Sequence, residues 1–368
     1  MMTAENTPRL EALREQLAPK EVDALLVAGP ESRRYLSGFT AGDPDAGMLL
    51  ISREAAALLT DFRYQEWAQQ EAPDFEVLVY KESQGATLAE LLRNLPGRRL
   101  GFESAYLTYR QYQRLTQAVA EAGLEVEWQP LEGVVEGLRE VKTADELAAL
   151  RRALELTETV LRGLAAELTP GVTERQVAWE IEKRLREGGA EGLSFPPIVA
   201  AGPNSARPHH QSGDYPIKRG EPIIIDLGGK VGGYCADLTR TYILGPPDDQ
   251  FRKIYLLVRQ AQERAEGGLK AGMDSLAADA LGREVIAGAG FGEAFGHSLG
   301  HGVGLSVHEP PTLSPYKERA TVLKAGSVVT VEPGIYLPGW GGVRLEDMVL
   351  LTPDGCEVLN RGLDFYEF

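Results

Sequence analysis

Side chains able to hold a metal ion or move a proton crowd into one part of this chain. All five histidines, His209, His210, His297, His301 and His308, lie between positions 209 and 308. Three of them share a glycine-rich stretch, GHSLGHGVGLSVHE at 296–309, where bare backbone can come close to a ligand. A lone histidine is most often structural, but three in one such segment read as a site. Upstream, EPIIIDLGGKVGGYCADLTRTYIL (221–244) carries Asp226 and Asp237, each in apolar or hydroxyl-bearing company. A buried, unpaired carboxylate is too costly to keep, so each needs a cation, a set of donors or a metal. Taken alone, this stretch also reads as two aspartates in a turn-rich loop. Downstream, Glu332 ends an apolar run in TVEPG, and Glu346 lies in GGVRLED with Arg344 two residues before it on the same strand face. Four carboxylates and one imidazole form a hard-to-borderline ligand set, suited to Mn²⁺, Co²⁺, Zn²⁺ or Fe²⁺. Their charge exceeds what one divalent ion balances, and two ions ~3.5–4 Å apart would satisfy it.

Stepping outward from these residues, 221–244 reads as two strands around a Gly-rich turn, which could set Asp226 and Asp237 across a ladder from one another. Thr239, two residues past Asp237 on the same face, is placed to donate to a ligand. Cys235 reads as a packed thiol and His210 as a surface histidine. Strands are expected at 327–332 and 347–351, and helices at 251–267 and 274–286. Two capping boxes, Thr143–Glu146 and Thr173–Gln176, open helices to about Leu168 and Gly188. Before them the pattern differs. Strands at 24–28, 47–52, 55–60, 76–80, 99–102 and 124–128 alternate with helices at 9–17, 62–70, 87–94 and 108–122, and a short helix follows over 131–142. That alternation predicts an α/β domain with a mixed or parallel sheet. The boundary falls just before the capping boxes, giving domains of 1–135 and 136–368.

The whole-chain properties narrow the function. A length of 368 residues suits two domains. A net charge of −16 argues against a nucleic-acid backbone or an anionic membrane as partner. No apolar run approaches the ~18 residues of a membrane span, and the first residues lack a signal-peptide core. Two scattered cysteines, Cys235 and Cys356, make no disulfide framework. These features predict a cytoplasmic chain acting on small molecules or short peptides.

The motifs resemble those of the pita-bread metallopeptidases, and among them the Xaa-Pro peptidases, prolidase and aminopeptidase P. RRYLSGF (33–39) is similar to their creatinase-like N-terminal domain. IDLGGKVGGYCADLTRT, HSLGHGVGLSVHE, VEPGIY and GGVRLED carry the family's ligand order of Asp, Asp, His, Glu, Glu. The resemblance implies an α/β creatinase-like N-terminal domain followed by an α+β pita-bread catalytic domain. It implies two divalent metal ions, with manganese first, held by Asp226, Asp237, His301, Glu332 and Glu346. It implies that a metal-bridging hydroxide attacks the Xaa-Pro bond, that Glu332 accepts the proton, and that His209 and His308 polarise the carbonyl or assist the leaving nitrogen. His297, Arg344 and Tyr336 match cleft-lining positions. The tertiary amide of an Xaa-Pro bond has no N–H, so a site that recognises the ring and activates the carbonyl suits it. A homodimer is also implied.

Some prolidases carry an arginine just after VHE that binds the dipeptide carboxylate. Here the stretch is HEPPT (308–312), leaving Arg344 or Arg319 as substitutes. In AGDPDA (41–46), Asp43 and Asp45 flank Pro44 and read as a solvated turn. The resemblance offers them a second role, binding the substrate ammonium and limiting peptide length. The expected activity is cleavage of Xaa-Pro dipeptides, the alternative being release of the first residue from longer Xaa-Pro peptides. A metal-free creatinase-type enzyme and a non-catalytic partner-binding protein would each have lost ligands, and none is lost. A methionine aminopeptidase would not carry the α/β domain ahead of the catalytic part.

Overall fold

The computed structural model describes residues 6–95, 97–360, 362–363 and 365–366, and divides into two compact units, Met1–Arg139 and Glu140–Phe368. In the first unit α1 (Asn6–Leu17), β1 (Ala24–Val27), α2 (Pro30–Ser37), β2 (Met48–Ser52), β3 (Ala56–Thr60), α3 (Gln65–Glu71), β4 (Glu76–Val79), α4 (Gln84–Arg93), β5 (Arg99–Glu103), α5 (Tyr109–Glu121), β6 (Glu127–Leu131) and α6 (Val134–Arg139) follow one another. The sheet is mixed, in the order β4-β3-β2-β1-β5-β6, with β1 running parallel to β5 and antiparallel to β2. Every residue of β1 is buried, as an apolar strand covered on both faces must be.

The last strand starts three residues later than its sequence suggests. Gly123, at φ +74°, ends α5, and the Leu124 N–H is still taken by the Val119 carbonyl, so the ladder begins only at Glu127. Pro130 is tolerated because β6 is an edge strand. Leu131 thus belongs to a strand, and the helix expected over 131–142 shrinks to α6. The helix expected over 62–70 opens with a 3₁₀ turn at Phe62–Tyr64, where Asp61 accepts from the Arg63 N–H.

The second unit opens with α7 (Ala144–Glu167) and α8 (Glu174–Glu187), both started by the expected capping boxes. Next come β7 (Gly192–Leu193), β8 (Ile198–Ala201), β9 (Pro222–Leu227), β10 (Gly229–Val231), β11 (Tyr234–Cys235), β12 (Leu238–Ile243), α9 (Asp249–Glu266), α10 (Ser275–Gly288), β13 (Gly300–Gly302) and β14 (Glu309–Leu313). The unit ends with β15 (Val328–Val331), β16 (Gly334–Leu337), β17 (Gly341–Arg344), β18 (Asp347–Leu351) and β19 (Cys356–Val358). A three-stranded sheet β12-β9-β8 and a five-stranded sheet β14-β13-β15-β18-β19 lie between two helical layers. Val328 and Met348 face one apolar cluster with α7 and α8, while Val329, Val331 and Val349 face another with α9 and α10. The period of two along a strand thereby buries both faces.

The Gly-rich hairpin departs from its expected form. It splits, because Gly228 passes so close to the Ala236 carbonyl that a Cβ there would clash. β10 pairs with β11 on one side and β7 on the other, and of the hairpin's returning strands β12 alone pairs with β9. The register sets Thr239, not Asp237, opposite Asp226, and Asp237 sits in the break before β12.

Candidate metal centre

Four of the five predicted ligands lie at or beside a strand end. Asp226 is the penultimate residue of β9 and Asp237 precedes β12. Glu332 follows β15 and Glu346 precedes β18, whose pairing of Val331 with Asp347 brings the two glutamates side by side. His301 is in the middle of β13, and bare Gly300 lets that strand press against the Thr330 backbone. Asp237, His301 and Glu346 offer ligand atoms that all lie within 4.8 Å of one another. His301 Nε2 is 3.5 Å from Asp237 Oδ2 and 3.4 Å from Glu332 Oε1. Its Nδ1 lies 3.1 Å from the Gly302 carbonyl, which can only accept, so the proton sits on Nδ1 and the Nε2 lone pair faces the carboxylates.

Two threonines hold this set. Thr239 Oγ1 donates to Glu346 Oε2 at 2.6 Å, and its carbonyl accepts the Glu346 N–H at 3.1 Å. Thr330 Oγ1 accepts the His301 N–H at 3.0 Å and donates to Glu332 Oε1 at 3.3 Å. Behind them the buried Arg240 donates to the Glu346 carbonyl at 2.6 Å and to Asp347 Oδ1 at 2.7 Å.

Arg344 is buried and fully engaged. It donates to Asp226 Oδ2 at 2.6 Å, Thr239 Oγ1 at 3.2 Å and the Tyr336 hydroxyl at 3.0 Å. Tyr336 therefore gives its own proton to His297 Nε2, 2.9 Å away, while His297 Nδ1 donates to the Ser298 carbonyl at 2.9 Å. Both ring nitrogens of His297 are occupied. Burial lowers its pKa to about 3 and that of His301 to about 4, so both are neutral at ordinary pH. Burial raises Tyr336 to about 12.

The carboxylates carry the opposite shift. Desolvation raises Asp226, against the pull of Arg344. Desolvation and then the neighbouring Glu346 and Asp226 raise Asp237 well above the usual range, and Glu346 is raised likewise by burial, Glu332 and Asp226. Burial lifts Glu332 to about 8. Asp226 Oδ1 and Glu346 Oε1 are buried without a hydrogen-bond partner. Orphaned carboxylate oxygens, mutual repulsion and an imidazole lone pair turned toward them fit divalent cations.

All five predicted ligands line a cavity of about 770 Å³, within the range of small-ligand sites. His209, His308, His297, Arg344 and Arg319 also line it, and Phe195, Pro196 and Ile198 give it an apolar wall. His308 packs its ring edge-on to His301, with centroids 4.3 Å apart. Asp43 and Asp45 belong to the N-terminal unit. There the Arg33 guanidinium donates to the carbonyls of Ala41, Asp43 and Gly47, and Asp43 Oδ2 accepts from Tyr64 at 2.7 Å. Cys235 is a buried free thiol, its Sγ 3.6 Å from the Leu305 carbonyl.

His210 is not a surface residue. Its Nε2 lies 2.8 Å from Glu174 Oε2, and its side chain is only 9% exposed. Glu174, fully buried in α8, also accepts from Ala201 N, Asn204 Nδ2 and Gly213 N, and so fixes the loop that carries His209. In sequence Glu174 looks like an acidic first-turn residue beside a capping box, which hid this role. Asp279 of α10 was missed in the same way. It accepts from the Leu299 N–H at 2.9 Å and from Arg283, which donates to the Phe295 and His297 carbonyls. The one available signal was an acid four residues before an arginine on a helix.

A buried, charge-unbalanced ligand set at the floor of a peptide-sized cavity, between two helix-backed sheets, defines a metallopeptidase of the pita-bread fold. Residues 148–353 match metallopeptidase family M24, and residues 9–141 match the creatinase/prolidase N-terminal domain. The chain belongs to family M24. It is 40% identical to an Xaa-Pro dipeptidase from Bacillus anthracis, with a TM-score of 0.90 over 96% of this chain and 97% of that one. An X-Pro aminopeptidase from Thermotoga maritima is 36% identical, with a TM-score of 0.84 over 95% and 97%. The Xaa-Pro dipeptidase of Pyrococcus furiosus is 36% identical over 96% of this chain and 97% of its own length. Among the described residues no helix is long and apolar enough to cross a membrane.

Proposed function

We propose that this chain hydrolyses the Xaa-Pro bond of proline-containing dipeptides. The observation that carries the proposal is the cluster of four buried carboxylates and one neutral imidazole opening into the cavity. Asp226, Asp237, His301, Glu332 and Glu346 would hold two divalent ions, manganese first, with cobalt, zinc or iron as substitutes. Bound there, such ions supply positive charge that acidifies water and polarises a carbonyl. The chain's own groups do the rest. Glu332, at the edge of the ligand cluster, accepts a proton from the attacking water. His308 and His209, on the cavity wall, donate to the scissile carbonyl or to the leaving proline nitrogen. The apolar wall at Phe195, Pro196 and Ile198 receives the ring and the preceding side chain. Arg344 is committed to Asp226, so the free dipeptide carboxylate falls to Arg319, which is exposed on the cavity rim. Asp43 and Asp45, in the N-terminal unit of a partner subunit, are proposed to bind the substrate ammonium and limit peptide length. The chain acts in the cytoplasm as a homodimer on short proline-containing peptides.

The similarity to an X-Pro aminopeptidase supports a second reading, removal of one residue from longer peptides. Stripping the protein with a chelator, restoring Mn²⁺, Co²⁺ or Zn²⁺ singly, and assaying an Xaa-Pro dipeptide beside the matching tripeptide separates the two. Metal-dependent cleavage of the dipeptide alone supports the first reading, and cleavage of both supports the second. Cleavage of neither overturns both.

A further inference from the structure

One buried ion pair of the catalytic unit takes no part in the chemistry above. Lys142 Nζ lies 2.9 Å from Glu309 Oε1, and the two side chains are 1% and 2% exposed. Lys142 also donates to the Glu140 carbonyl at 3.2 Å. The Glu309 carboxylate fills the space a side chain at Gly304 would need, and its Oε2 faces the Ser306 N–H at 3.5 Å. It therefore grips the 303–308 turn from inside. That turn joins β13, with its ligand His301, to β14, and His308 directly precedes Glu309.

His308 has no anchor of its own. Among the described residues its ring has no hydrogen-bond partner, and it lies edge-on to the ring of His301. Its direction is inherited from the backbone at 308–309. A buried ion pair is seldom needed for stability, since apolar replacement of both partners is often neutral, but it is directional. We propose that Lys142 and Glu309 are positioning residues that aim His308 into the cavity. This inference rests on the role given to His308 above.

The Lys142→Met/Glu309→Gln double variant removes both charges at nearly constant volume and leaves no lone buried charge. It is compared with wild type, His308→Ala and the triple variant, all reconstituted with metal. The double variant is expected to lose roughly 10–100-fold in kcat, with KM and bound metal unchanged, and to cost nothing further in the His308→Ala background. A purely structural pair would give losses that multiply, and that result overturns the proposal. A second readout needs no turnover. In the zinc-loaded protein the ¹⁵N-imidazole signal of His308, assigned by its loss in His308→Ala, should shift or broaden in the double variant while those of His209 and His297 stay. An unmoved His308 signal overturns the proposal as well. If wild type cleaves no Xaa-Pro peptide, the functional reading fails, and the imidazole signal alone decides the positioning role.

Discussion

The two units treat buried charge in opposite ways. In the N-terminal unit, Glu103 accepts the N–H groups of Ala28 and Gly29, each at 2.8 Å, and Arg33 donates to three loop carbonyls. Burial still pulls both toward neutrality, Glu103 up to about 7 and Arg33 down to about 10, but the backbone itself answers each charge. In the catalytic unit, Asp226, Asp237, Glu332 and Glu346 face one another, with Arg344 engaging Asp226 alone. The first arrangement sets backbone dipoles against each charge and crowds no like charges together, although Glu103 Oε1 and Arg33 Nε have no hydrogen-bond partner of their own. The second leaves a demand that only an ion from solution meets, and that difference separates a charge kept for shape from charges kept for chemistry.

The sharpest break of this comparison is Asp237→Asn. It should cost at least about 10³-fold in kcat/KM, because it removes a ligand to the reacting centre. It should also raise the melting temperature of the metal-free protein by a few degrees, since like-charge repulsion is relieved. Calorimetry of stripped wild type and variant checks this, and a lower melting point for the variant would contradict it. Arg344→Met should lose about 10–100-fold in metal affinity, measured by competition with a chelator, because Asp226, Thr239 and Tyr336 all lose their donor. Arg319→Met should raise KM about tenfold for an Xaa-Pro dipeptide and leave the corresponding amide unaffected, which sharpens the division between Arg319 and the committed Arg344.

Arg33→Met tests the other side. It leaves carbonyls unsatisfied at about 1–3 kcal/mol each, so the melting temperature should fall by several degrees with metal content per chain unchanged. The smallest effect is in pH. A carboxyl raised in the folded state binds more protons there than in the unfolded chain, so its contribution to stability declines as pH rises from the ordinary value toward the raised one. For Glu332 that window runs from 4.5 to about 8. Stripped protein should therefore lose stability across it, while metal-bound protein should not. The gap between the two melting temperatures should widen from pH 5 to pH 8, and parallel curves would count against the unbalanced cluster.

The sequence revealed the types and order of the residues that meet in the cavity, because glycine-rich turns and isolated acids in apolar strands are local signals. Both long capped helices and the alternating N-terminal layer were legible for the same reason. What stayed hidden was register and long-range pairing. The offset of Asp237 from Asp226 depends on a backbone contact between Gly228 and Ala236. Glu174 and Asp279 look like ordinary helix acids until the loops at 201–213 and 295–299 fold against them. His210 was misread because its partner lies 36 residues away. No periodicity encodes such contacts.

Asp237, Glu332 and Glu346 stand just outside the strands that carry them, so a change of side chain at any of the three breaks no ladder bond. Stability alone would favour neutral residues at these positions. Selection on the fold and selection on turnover therefore pull in opposite directions here, and a lineage released from the second could drift to a stable, silent relative in few steps. The acids persist only while their activity is being used.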